Sequence, residues 1–90
     1  MRKYAKIPET NFEVADPTAV LQSIDTHYAP LAKEVLRIDG LRFDFDDWWF
    51  CVRASNTEPL LRLNLECKTQ SMLTQRFEEL SRAIGGNVHH

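Results

Sequence analysis

The sequence predicts an α+β fold, an antiparallel sheet of about four strands with two helices packed on one face. Three observations carry this. Residues 36–54 run with a period of two broken by turn dipeptides. Leu61, Leu63 and Leu65 alternate with Arg62, Asn64 and Glu66, so the next strand has one apolar and one polar face. Segments near residues 16–29 and 71–85 carry apolar residues at helical spacing and need a sheet face to cover.

Residues 1–9 contain Lys and Pro with little periodicity and are expected to be a leading linker, after which Thr10 to Val14 forms a short strand. Asp16-Pro17 is a helix start, a side-chain acceptor followed by a residue already fixed at helical φ, and Val20, Leu21, Ile24 and Tyr28 then share a face up to Pro30. From Glu34, Leu36 and Ile38 alternate up to Asp39-Gly40, and Leu41, Phe43 and Phe45 alternate beyond it. Asp-Gly between such runs predicts a hairpin whose two turn residues take positive φ. Asp46-Asp47 makes a second turn, and Trp48 to Ala54 is rich in residues that suit a pleated surface. Leu73, Phe77, Leu80 and Ile84 form the stripe of a closing helix that ends at Gly85-Gly86. The organisation expected is a leading segment 1–9, one domain over 10–85, and a tail 86–90 in which His89-His90 reads either as a tag remnant or as the end of a disordered tail.

Ninety residues, 43% hydrophobic and 27% charged, fit one small domain. The net charge of −2 supplies no cationic field, which argues against nucleic-acid partners. No apolar run approaches the roughly 20 residues that cross a bilayer, and no secretory signal is evident. The expected localisation is cytoplasmic, with no membrane partner. Cys51 and Cys67 lack metal or disulfide-framework spacing and are expected to be reduced. His27 stands alone in a helical pattern.

Function concentrates between the last two strands, in Arg53-Ala54-Ser55-Asn56-Thr57-Glu58-Pro59. Arg offers a planar fork to an oxyanion, Ser and Thr hydroxyls donate single bonds, and successive N–H groups of a tight turn form an anion nest. Arg62, on the polar face of the next strand, can add charge to the same loop. From this chemistry alone two readings stand open. One is an oxyanion site; the other is a turn satisfied by Ser, Asn and Thr, with arginines paired to Glu58 or Glu66. Asp44, Asp46 and Asp47 are the one acidic cluster, and their split between strand and turn reads as solvated surface rather than a metal site. Trp48 and Trp49 point to opposite strand faces, which suits packing better than a sugar platform.

Arg-Ala-Ser-Asn-Thr-Glu-Pro-Leu-Leu-Arg, residues 53–62, resembles the phosphate-binding loop of the C-terminal domain of the α-D-phosphohexomutases. The resemblance covers about residues 10–84 and is densest over 39–66. It implies the phosphoglucomutase C-terminal fold, similar in shape to the TATA-box-binding protein, though shape alone carries no function. It further implies that Arg53, Ser55, Asn56, Thr57 and Arg62 hold the phosphate of a phosphorylated hexose, with the parent enzyme's other domains as partners. Many relatives have Gly where Asn56 stands, and Asn tolerates left-handed backbone. The parent activity implied is an isomerase that moves phosphate between the 1- and 6-hydroxyls through a phosphoserine. Mg²⁺ and the catalytic serine would lie on other domains; Ser71 and Ser81 do not resemble that serine. The chain alone is expected to be inactive, with no catalytic or metal-binding residue. A hinge is expected within Lys3 to Glu9. The alternatives are a stand-alone phosphosugar-binding module, or an interaction domain using Arg42, Arg53 and Arg62.

Overall fold

A computed structural model of the chain describes residues 4–89; Met1, Arg2, Lys3 and His90, with the expectations placed on them, lie outside the described residues. Strands are β1 (Ala5–Lys6), β2 (Thr10–Glu13), β3 (Glu34–Leu36), β4 (Leu41–Asp44), β5 (Trp48–Ala54), β6 (Leu60–Cys67) and β7 (Asn87–His89), with helices α1 (Pro17–Tyr28) and α2 (Gln70–Ile84). They form one seven-stranded antiparallel sheet in the order β3-β4-β5-β6-β2-β7, with β1 also paired to β6. The α+β architecture with both helices on one face is the one the periodicities predict. The sheet is larger than the expected four strands because short edge pieces join it: β1 lies inside the segment read as a linker, and β7 inside the stretch read as a tail.

Strand parity divides the sheet into two faces. Phe43, Phe50, Val52, Leu61, Leu63, Leu65 and Cys67 point to one side and are at most 1% exposed. Ile24 and Tyr28 of α1 and Leu73, Leu80 and Ile84 of α2 close over that side. Tyr28 sits among the rings of Phe43, Phe45, Trp48 and Phe50 at centroid distances of 5.1–6.3 Å. Its hydroxyl donates to Glu79, which also accepts from Arg76 at 2.9 Å. The opposite face, with Asn11, Arg42, Cys51, Arg53, Arg62 and Asn64, carries no helix among the described residues.

Side-chain caps set the helix ends. Asp16 accepts from the Ala19 N–H at the start of α1, and Thr69 accepts from Met72 N–H at the start of α2. Gly85, at φ 74°, ends α2 in the left-handed conformation its residue type favours.

A bulge decides what β2 presents. Lys6 pairs with Glu66 and Thr10 with Leu63, so three residues, Ile7 to Glu9, lie opposite Asn64 and Leu65. Pro8 cannot donate to a ladder, which suits it to the interruption. The extra residue reverses the alternation, so Phe12 enters the core and Asn11 faces the open side.

The β3–β4 hairpin differs in register from the expected two-residue turn. Asp39 and Gly40 both have positive φ, 56° and 120°, yet Leu36 pairs with Arg42, which leaves Ile38 in the turn and 82% exposed. The physical reason lies in the neighbouring strand: a Cβ on Gly40 would stand 2.7 Å from Arg53 Cβ and 2.8 Å from the Val52 carbonyl oxygen. The turn backbone thus lies directly against β5.

Candidate anion pocket

Arg53 and Arg62 are direct partners across the β5–β6 ladder, and Asn11 of β2 is the partner of Arg62 on its other side. Like charges placed opposite each other across strands destabilise a sheet. Arg53 Nη1 lies 3.7 Å from an Asp39 carboxylate oxygen, a long contact between exposed groups that offsets little. Arg62 makes no ion pair with Glu58 or Glu66, and its Nε–H is buried without a hydrogen-bond partner. The alternative in which these arginines pair with the nearby glutamates is therefore not the arrangement observed.

The loop between β5 and β6 is built tightly. Ser55 N–H donates to the Leu60 carbonyl at 2.9 Å, Leu60 N–H to Glu58 at 2.8 Å, and Val14 N–H to Pro59 at 3.0 Å, which fastens the loop to the end of β2. Thr57 N–H donates to the Ser55 hydroxyl at 3.4 Å. Asp39, Arg53, Ala54, Ser55, Asn56, Thr57 and Arg62 line one open cavity of about 370 Å³. All five residues singled out in the sequence thus share a pocket. Asn56 does not use the left-handed freedom its residue type allows, because Asp39 is the non-glycine residue with positive φ among those described. Asp39 is the lining residue that the sequence reading assigned only to a turn. Its carboxylate reaches the pocket because the hairpin tip folds across β5.

Other candidate chemistry disperses. Asp44 pairs with Arg42, Asp46 with Lys33 and Asp47 with Lys68, and among the described residues no group of three or more His, Cys, Asp or Glu gathers as a metal site. These carboxylates do not fit a Mg²⁺ ion. Trp48 is buried, with the Arg76 guanidinium 4.4 Å above its ring, while Trp49 on the open face is covered by Arg42 at 4.2 Å. Cys51 and Cys67 are free thiols on opposite faces of the sheet. Burial pushes both thiols up, Cys67 to about 11. Among the described residues, no helix is long and apolar enough to cross a membrane.

Comparison with known proteins identifies the domain. Residues 9–83 match the family described as phosphoglucomutase/phosphomannomutase, C-terminal domain. The chain belongs to this family. It is 39% identical over 87 residues to a protein named phosphohexose mutases from Xanthomonas campestris, covering 96% of the chain and 19% of that protein. It is 45% identical over 60 residues to a phosphomannomutase of Salmonella typhimurium, covering 67% and 13% respectively. It is 38% identical over 82 residues to one from Methanocaldococcus jannaschii, covering 91% and 18%. Among solved structures, a phosphoglucomutase/phosphomannomutase family protein from Burkholderia thailandensis superposes with a TM-score of 0.67 at 25% identity, covering 96% of this chain and 19% of that one. The chain spans about a fifth or less of these relatives, which carry it as a C-terminal domain. The relatives from Salmonella typhimurium and Methanocaldococcus jannaschii are phosphomannomutases, which are isomerases.

Proposed function

We propose that this domain is the phosphate clamp of a phosphohexomutase, gripping the phosphate that is not being transferred while chemistry proceeds at the other end of the hexose. The observation that carries the reading is the cross-strand pair Arg53 and Arg62, two like charges held side by side at the mouth of a loop of hydroxyls and N–H groups. A dianion between them converts repulsion into two attractions. Arg53 presents its guanidinium fork, Ser55 and Thr57 donate hydroxyl hydrogens, Asn56 donates its side-chain amide, and Arg62 adds charge from the sheet.

In the parent reaction phosphate moves between the 1- and 6-hydroxyls of a phosphorylated hexose by way of a phosphoserine on another domain. Mg²⁺ held on another domain would supply electrostatic stabilisation of the transferring phosphoryl group. The residues of this chain bind and orient. Holding the remote phosphate spends binding energy away from the reacting oxygen to position the attacking group, an effect able to contribute several kcal/mol. Because the bisphosphorylated sugar must present each end in turn, the clamp recognises phosphate and leaves the ring free to reverse.

An NMR titration of the chain with glucose 6-phosphate tests this, with glucose and inorganic phosphate as controls. The expected result is shifts at Arg53 to Thr57 and Arg62 with both phosphates and none with glucose. Absence of those shifts at millimolar phosphate, or equal shifts with glucose, would overturn the reading. The domain by itself is expected to give no mutase turnover.

A further inference from the structure

Among the described residues, two buried polar atoms on the open face lack partners, and they belong to neighbouring residues. Asn11 Oδ1 and Arg62 Nε are both out of solvent and make no hydrogen bond, and their residues are Cα partners across the β2–β6 ladder. One is an acceptor and the other a donor. Side chains at such positions stand about 5 Å apart at Cβ, so one turn of the guanidinium joins them. A buried donor and a buried acceptor left unpaired side by side are uncommon in folded proteins and call for an explanation, such as a bound ion or a functional role. The remaining such atom among the described residues, Ser81 Oγ, lies on α2 and lines no part of the pocket.

We propose that Asn11 is a positioning residue of the anion pocket: when phosphate binds, Arg62 turns its terminal nitrogens to the anion and its Nε–H donates to Asn11 Oδ1. This rests on the reading of the pocket as a phosphate site. Asn11 lines no part of the cavity, so it acts through Arg62. In the free protein, repulsion from Arg53 directly opposite works against that orientation. An anion between the two guanidiniums removes the repulsion and rewards the turn. The same bond fixes which edge of the Arg62 fork faces the ligand, and so favours a planar two-oxygen grip over a point charge. The bulge at Ile7 to Glu9 is what brings Asn11 to this face; without the extra residue its side chain would enter the core.

The test is a double-mutant cycle read by inorganic phosphate affinity, with Asn11→Ala and Arg62→Lys alone and together, supplemented by the Arg62 Nε–H resonance of the unaltered chain with and without phosphate. Lysine keeps a positive charge but has no Nε–H. Asn11→Ala is expected to weaken phosphate binding roughly five- to tenfold when Arg62 is present, and to have no further effect once it is lysine. The Nε–H resonance is expected to move downfield and exchange more slowly on phosphate addition. Equal weakening by Asn11→Ala in both backgrounds, no weakening in either, or an unmoved Nε–H in a chain that binds phosphate would each overturn the inference and leave the clamp intact. No phosphate binding by the unaltered chain would overturn both. The resonance measurement needs no substitution and stands if Asn11→Ala fails to fold.

Discussion

Replacing Gly40 with alanine perturbs fold and pocket through one atom. Gly40 has φ 120°, where residues with a Cβ are strained by about 1–3 kcal/mol. The new methyl would stand 2.7 Å from Arg53 Cβ and 2.8 Å from the Val52 carbonyl oxygen. Neither is a flexible end that can swing away, so the hairpin tip must lift off β5, an overpacking cost of about 1–3 kcal/mol. The smaller conformational freedom of unfolded alanine returns about 0.4–1 kcal/mol. The net expected loss is about 3 kcal/mol, a large share of the roughly 5–13 kcal/mol that holds a domain of this size. Lifting the tip also withdraws Asp39 from Arg53, so the resonances of Arg53 should move even without ligand. Urea denaturation gives the energy, and an amide spectrum gives the displacement. A loss below about 0.5 kcal/mol, with Arg53 unmoved, would refute the close-packed turn.

Two further outcomes follow from the core. The Cys67 thiol, raised by burial from 9.0 to about 11, stays protonated in the fold after the unfolded chain has released its proton. Its contribution is complete below pH 9.0 and is lost as pH rises to about 11, so urea stability should fall across that window by up to about 1.4 kcal/mol per pH unit, and Cys67→Ala should flatten the slope. Tyr28→Phe removes the bond to Glu79, although Glu79 keeps Arg76; the expected cost is about 1–3 kcal/mol by urea denaturation, with phosphate affinity unchanged because Tyr28 lies on the core face.

The strands that carry the core were legible because parity alone assigns their faces. Phe43, Leu61, Leu63 and Leu65 are buried where alternation placed them, and both helices follow their apolar stripes. The short pieces were not legible. β1 and β7 have two and three residues, too few for a period, and they exist because a neighbouring strand offers an unpaired edge. Ile38 was read as part of its strand because alternation continues through it, but the turn must press flat on β5 at Gly40, and this moves the register by one.

The pocket shows the same division. Arg53, Ser55, Asn56 and Thr57 lie within one short stretch, so the sequence itself gathers them, and Arg62 follows from parity. Asp39 was missed because it enters from the hairpin tip beside β5, and Asn11, the neighbour of Arg62 outside the pocket, because a bulge reverses the face of β2. The signal for Asn11 was present in its alternation with buried Phe12, but using it requires knowing that β2 lies beside β6.

If the sheet holds two opposed arginines for the sake of an anion, unfolding of the chain and of Arg53→Gln with and without phosphate at constant ionic strength will show it. Without phosphate, Arg53→Gln should match or exceed the unaltered chain, since it relieves the repulsion and gives up only an exposed contact with Asp39. Phosphate at about ten times its dissociation constant should stabilise the unaltered chain by about 1.4 kcal/mol and the variant by much less. A variant about 2 kcal/mol less stable without phosphate, or equal stabilisation of both proteins, would contradict the account.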